Sequence, residues 1–138
     1  MKKILVTLIL ITQFLFTANA KTDEDYSKTP YVGTEINEAV NGSIPFVLVL
    51  ANPHDRMSII RYIPIGKMVY TTFKDKYDFC ILNVNSEENK EYIEFLNPPE
   101  IPAVYIVNPK TNICSHVSKK YHNSRDMKRI LNQIIEEE

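Results

Sequence analysis

Two thiols and one short polar run are the parts of this 138-residue chain that could do chemistry. Cys80 and Cys114 are its only cysteines. Thiol–disulfide exchange needs a thiolate whose pKa is lowered, commonly at a helix N-terminus, and a second cysteine to resolve the mixed disulfide. Cys80 falls inside the apolar run Phe79-Cys80-Ile81-Leu82 and reads as a small hydrophobe in a buried strand. Cys114 falls on a return strand near a sheet edge, so neither thiol begins a helix. The polar run is His54-Asp55-Arg56-Met57. Its plainest reading is a helix start, with Asp55 favoured by the positive end of the helix dipole, Met57 packed in the core and His54 on the surface. Imidazole and thioether together also suit Cu(I). His116 reads as a solvent-facing residue. The chain has no His/Glu spacing of the zinc-protease kind, no Gly-rich phosphate loop and no Gly-x-Ser-x-Gly elbow.

The elements that must position these residues can be read from periodicity. Apolar residues at Ile36, Ala39 and Val40 suit a short helix capped by Thr34 or Gly33 and stopped by Asn41-Gly42-Ser43. Phe46 to Leu50 is continuously apolar, which predicts a strand covered on both faces. A helix then starts at Pro53 or His54, with a stripe at Met57, Ile60, Ile63, Met68, Val69 and Phe73. Pro64 should kink or split it, because proline lacks the N–H and clashes with the preceding turn. Phe79 to Val84 is a second buried strand. Asn85-Ser86-Glu87-Glu88 gives a capping-box pattern for a helix to about Leu96, with Tyr92, Ile93, Phe95 and Leu96 as core contacts. Asn97-Pro98-Pro99 ends it. A strand at 103–107, a turn at 108–112 and a half-exposed return strand at 113–117 follow. Met127, Ile130, Leu131, Ile134 and Ile135 form the clearest helical stripe, and Glu136 to Glu138 oppose its C-terminal dipole.

This order, together with the strand-feeding junction Glu100-Ile101-Pro102-Ala103 opposite the strand that runs into His54, resembles the thioredoxin-like fold over about residues 34–135. The resemblance implies a three-layer α/β sandwich. Its central mixed, mostly parallel sheet would have four or five strands, flanked by about four helices. It implies a cis Ile101–Pro102 bond. It also places His54 and Met57 where the family carries its Cys-x-x-Cys pair, so the redox chemistry is gone. In the sheet order of that family the strands of Cys80 and Cys114 are not neighbours. Strands lie about 4.8 Å apart and a disulfide needs Cα atoms within roughly 7 Å, so two unpaired thiols are expected. The alignment further brings Tyr121 and His122 towards the rim of residues 54–57, which makes a His54/Met57/His122 copper set an alternative.

The N-terminus reads as an export signal. Met1-Lys2-Lys3 is basic, Ile4 to Phe16 is apolar, and Ala18-Asn19-Ala20 suits cleavage after Ala20. The apolar run is short of the roughly 20 residues of a membrane span. Residues 1–20 are thus expected to be removed, 21–33 to form a flexible arm that could add an edge strand, and 34–138 to form one domain. The pattern looks bacterial and points to the periplasm or secretion. The signal holds Lys2 and Lys3 and no acid, so the remainder carries 16 − 2 = 14 cations against 17 acids, or −3. That balance offers no argument for nucleic acid or an anionic membrane.

The function these features favour is a non-catalytic exported binding module. Its surface would be His54, Asp55, Arg56, Met57, Ile101, Pro102 and Tyr121, with no cofactor and with an envelope protein or peptide as partner. In the family the backbone before the proline pairs with extended chains. The alternatives are a copper-binding or single-thiol protein on the same scaffold, or a subunit of an envelope assembly docked through the arm.

Overall fold

The structure, a computed structural model, describes residues 29–52 and 54–137. The expected signal segment 1–20 and the arm up to residue 28 lie outside the described residues. Element order is β1 (Tyr31–Gly33), α1 (Ile36–Asn41), β2 (Phe46–Ala51), α2 (Arg56–Thr72), β3 (Asp78–Asn83), α3 (Lys90–Leu96), β4 (Ala103–Asn108), β5 (Ile113–Val117) and α4 (Ser124–Glu137). Short 3-10 turns at Glu87–Asn89 and Lys119–Tyr121 precede α3 and α4. The end of the arm is therefore part of the sheet, as strand β1.

The five strands lie in the order β1-β3-β2-β4-β5. Only β2 and β3 pair in parallel; β1/β3, β2/β4 and β4/β5 are antiparallel. The sheet is mixed but not mostly parallel, which corrects the sequence reading. The α3 connection returns the chain at the end of the sheet where β3 finished, so β4 must run back against β2. A crossover helix restores the direction only when it spans the length of the sheet, and α3 is 7 residues long.

Alternation along the strands sorts the core into two halves. Val47, Val49 and Ala51 belong to one cluster with Ile59, Tyr62, Ile65 and Val69 of α2 and with Met127 and Leu131 of α4. Phe46, Leu48 and Leu50 belong to the other, with Ile36 and Ala39 of α1 and with Tyr92, Ile93 and Leu96 of α3 packed against it. Two helices thus cover each face, giving three layers. Every residue of β2 is buried, as its unbroken apolar run predicts. Cys80 and Cys114 are both free, separated in the sheet by β2 and β4.

Several local readings change. Helix α2 runs unbroken through Pro64 instead of splitting. Pro64 is exposed, so the carbonyl that loses its partner faces water. That placement turns Met57 and Ile60, which share the face of Pro64 at helical spacing, outward with it. The buried stripe is Ile59, Tyr62, Ile65, Gly66 and Val69. Met57 is 73% exposed and is not a core residue. Phe95 is 85% exposed and is not one either. Glu35, not Thr34, caps α1, its carboxylate accepting from the Glu38 N–H. Thr34 pairs instead with the Tyr70 hydroxyl. Ser86 makes no capping bond, and the chain passes through a 3-10 turn before α3. The return strand is more open than expected: only Val117 of β5 is buried.

Gly33 fixes how β1 meets β3. Its φ is +93°, and a Cβ there would lie 2.5 Å from the Phe79 carbonyl oxygen. That oxygen accepts from the Thr34 N–H at 2.8 Å and from the Tyr70 hydroxyl at 2.8 Å. Only glycine takes this backbone without strain while approaching so closely.

Candidate functional site

Strand register brings four loops to one end of the sheet. Leu50 lies opposite Ala103, Ala51 opposite Asn83, and Val104 opposite Val117. Asn52 and the segments 54–57, 84–86, 99–102 and 118–123 therefore lie at the same end of the sheet. These include the residues that the sequence nominated: His54 to Met57, Ile101 and Pro102, and Tyr121.

A side-chain amide network holds the first two loops. Asn52 Oδ1 accepts from the His54 N–H at 3.0 Å and from Asn85 Nδ2 at 3.1 Å. Asn83 Oδ1 accepts from the Asn85 N–H at 2.8 Å. The buried Asn89 amide donates to the carbonyls of Pro30 at 2.7 Å and Asn83 at 2.9 Å. The buried Asn83 and Asn89 amides anchor the 84–86 turn to the start of β1, and the exposed Asn85–Asn52 bond links that turn to Asn52. The sequence reading gave only Asn85 a role, as a cap, and missed the network, because the Asn85–Asn52 and Asn89–Pro30 bonds join segments 33 and 59 residues apart.

Asp55 is the N-cap of α2. Its carboxylate accepts from the Ser58 N–H at 3.2 Å and from the Ser58 hydroxyl at 2.7 Å. These two bonds hold its pKa below the ordinary carboxylate range. The helix therefore starts at Arg56, later than the expected Pro53 or His54. His54, Asp55, Arg56 and Met57 are all exposed. Across the sheet end, Ile101 is exposed, Pro102 is half-buried and their peptide bond is cis, as the resemblance implies.

Tyr121 is half-buried at the rim, with two cations over its ring. Lys120 Nζ stands 5.0 Å and Arg129 Cζ 5.8 Å from the ring centroid. His122, next to it, turns inward and is 1% exposed. Its Nε2 lies 2.9 Å from the Val117 carbonyl and its Nδ1 2.7 Å from the Tyr62 hydroxyl. A carbonyl only accepts, so Nε2 carries the proton and Nδ1 accepts from Tyr62. Both ring nitrogens are used, which removes His122 from the His54/Met57/His122 copper set. Tyr62 was missed as its partner because the sequence stripe on α2 was drawn one face away.

Neither thiol is set up for catalysis. Burial pushes the Cys80 thiol far up, with the Glu35 charge adding to it. Partial burial also pushes Cys114 up, although its residue is exposed on β5. A reactive lone thiol needs the opposite shift, which weighs against the single-thiol alternative. His116 is exposed on β5, where its ring meets Tyr105 edge-on at 5.2 Å. What this end of the sheet offers is a held loop with exposed side chains and no activated nucleophile among the described residues.

No protein-family model matches this chain, and no curated protein matches it either.

Proposed function

We propose that this chain is an exported, thioredoxin-like domain without dithiol chemistry, whose role is to bind a protein or peptide partner of the cell envelope. The contact surface runs from His54, Asp55, Arg56 and Met57 to Ile101, Pro102 and Tyr121. The single observation that carries this reading is Met57. A methionine 73% exposed at the first turn of α2 serves no packing role, and it sits at the sheet end where Ile101 is also exposed. Thioether side chains suit adaptable binding surfaces. The strand order and the proline junction before β4 support the thioredoxin-like frame. The redox positions carry His54 and Met57, so the frame retains a surface and lacks its reaction. An extended partner segment could pair with backbone near Ile101, giving affinity from main-chain hydrogen bonds.

The test is site-directed photo-crosslinking in the native envelope, with the crosslinker at Met57 and at Glu94 as an exposed control. A discrete adduct at Met57 that is absent at Glu94 is the expected result. Equal labelling at both positions, or none at Met57, removes the proposal. N-terminal sequencing of the exported protein should begin at Lys21; retention of Met1 to Ala20 removes the export part.

A further inference from the structure

The loop 118–123 and the start of α4 gather positive charge, most of it without an ion-pair partner among the described residues. Lys119 and Lys120 precede Tyr121, and Arg125, Lys128 and Arg129 follow it on the first two turns of α4. Arg61 reaches the same loop from α2, its Nε donating to the His122 carbonyl at 3.2 Å. All six cations are exposed. Of them only Arg129 has an ion-pair partner among the described residues, Asp126 at 3.4 Å. The whole chain has a net charge of −1, so this cluster is a local feature and not a by-product of composition.

Helix electrostatics oppose the arrangement. Cations belong near a helix C-terminus and anions near its N-terminus. In α4 the cations Arg125, Lys128 and Arg129 occupy the N-terminal half while Glu136 and Glu137 occupy the last turn. Arg125 and Arg129 are also like charges at i, i+4 spacing, which is unfavourable. Local rules broken in this way tend to mark function. Lys120 and Arg129 both lie over the half-buried Tyr121 ring.

We infer that the rim formed by Arg61, Lys120, Tyr121, Arg125, Lys128 and Arg129 receives a short carboxylate-rich segment of the partner. This rests on the reading that Met57 and Ile101 bind a polypeptide, because Met57 and Arg61 are one turn apart on α2. Arginine forks match carboxylates in two-point hydrogen bonds, and ordered cations discriminate by charge complementarity. A long nucleic acid fits less well, since Glu136 and Glu137 would repel its backbone along the same helix. A bilayer fits less well, because the apolar side of α4 is buried in Met127 and Leu131 and offers no face to insert.

Fluorescence anisotropy on the purified protein tests this with two labelled peptides. One has six glutamates followed by leucine, valine and leucine; the other replaces the glutamates with glutamines. The glutamate peptide should bind at least tenfold more tightly, with an advantage that shrinks as salt rises. Combined Lys120→Glu, Arg125→Glu and Lys128→Glu substitutions should abolish that advantage, and the corresponding glutamine substitutions should reduce it. Lys110→Glu, at the opposite end of β4, should leave it intact. Equal binding of the two peptides, or an advantage untouched by the rim substitutions, overturns the inference. Tighter binding of an oligothymidylate or of phosphatidylglycerol vesicles overturns it as well. Met57→Asp separates the two ideas. If glutamates add nothing while Met57→Asp still lowers the binding of both peptides, the binding-module reading stands and the acidic-segment inference fails. If the rim substitutions abolish the advantage and Met57→Asp changes nothing, the carboxylate rim stands and the binding-module reading fails.

Discussion

The Tyr62 hydroxyl and the His122 imidazole meet inside the fold, 2.7 Å apart, and each satisfies the other. Tyr62 is fully buried on α2, and His122 closes the loop between β5 and α4. With Nε2 donating to Val117 and the His122 carbonyl accepting from Arg61, this one residue ties β5, α2 and the rim together. Tyr62→Phe keeps the ring and removes the donor, leaving Nδ1 buried and unpaired. The expected loss is about 1–2 kcal/mol of unfolding free energy, read as a lower denaturation midpoint with an unchanged slope. A variant as stable as the parent would mean that the bond contributes nothing net.

The same pair sets an acid sensitivity. Burial is the main cause that lowers the His122 pKa, opposed by the Val117 hydrogen bond, with the Arg61, His116 and Lys119 charges lowering it further. Its folded pKa lies below its unfolded value, so the unfolded chain binds more protons once pH falls below about 6.5. Stability should be full above that value and decline as pH drops towards the folded pKa. The nearby Glu100 charge, which acts on Tyr62, does not reverse that sign. Burial, with the Glu38 and Asp75 charges, raises the Asp78 carboxyl, a contribution of opposite sign that is common to the parent and His122→Gln and cancels in their comparison. Thermal melts from roughly pH 7.5 to 5.5 should therefore fall for the parent and fall less for His122→Gln. Parallel curves would assign the acid sensitivity elsewhere.

Much of the architecture was legible because it rests on local patterns. The apolar run Phe46 to Leu50, the stripe from Met127 to Ile135 and the turn at 108–112 each declare their element through period or turn chemistry. The unpaired thiols were expected from the strand order that the thioredoxin-like resemblance implies, and both are free. What was not legible depends on phase or on distance. Whether Met57 or Ile59 faces the core depends on Pro64 choosing the water side, a tertiary decision. The mostly parallel sheet was a misreading, because hydrophobic runs do not say whether a short connection spans the sheet or returns at the same end. At the candidate site, residues 54–57 and 101–102 were nominated through the thioredoxin-like resemblance, which aligns them with the family's redox and proline loops. The asparagine network and the Tyr62–His122 pair were not, since they join residues 60 positions apart in the latter case.

Gly33 should tolerate no side chain. Its positive φ and the 2.5 Å approach of the Phe79 carbonyl to a would-be Cβ penalise alanine twice. Backbone incompatibility of this kind exceeds the 0.4–1 kcal/mol that glycine removal can return, so Gly33→Ala should be destabilising by about 2 kcal/mol. The damage should centre on β1 and the Thr34–Tyr70 contact, visible as faster amide exchange at Tyr31 and Val32 than at Val47. Gly42, where an added Cβ would meet the Glu38 carbonyl at 3.2 Å without a positive φ, is the comparison site. A milder effect at Gly33 than at Gly42 would contradict this account.

Arg125→Glu should make the fold more stable while weakening its rim. The residue is exposed near the start of α4, where a negative charge gains from the helix dipole and a positive one loses. The exchange also removes the repulsion between Arg125 and Arg129. Each effect is worth about 0.3–0.5 kcal/mol at low salt, partly offset by the new carboxylate beside Asp126. A net gain of about 0.5 kcal/mol corresponds to a Tm higher by about 2 °C for a domain of this size. The gain should shrink at about 0.5 M salt, as screening removes exposed electrostatics. Lys110→Glu, on the exposed turn between β4 and β5, should leave Tm unchanged. A stability gain at Arg125 combined with a loss of acidic-peptide affinity means that the native arginine is kept at the expense of the fold. A stability loss at Arg125 would mean instead that it serves the helix, and the electrostatic case for the rim would lose its strongest member.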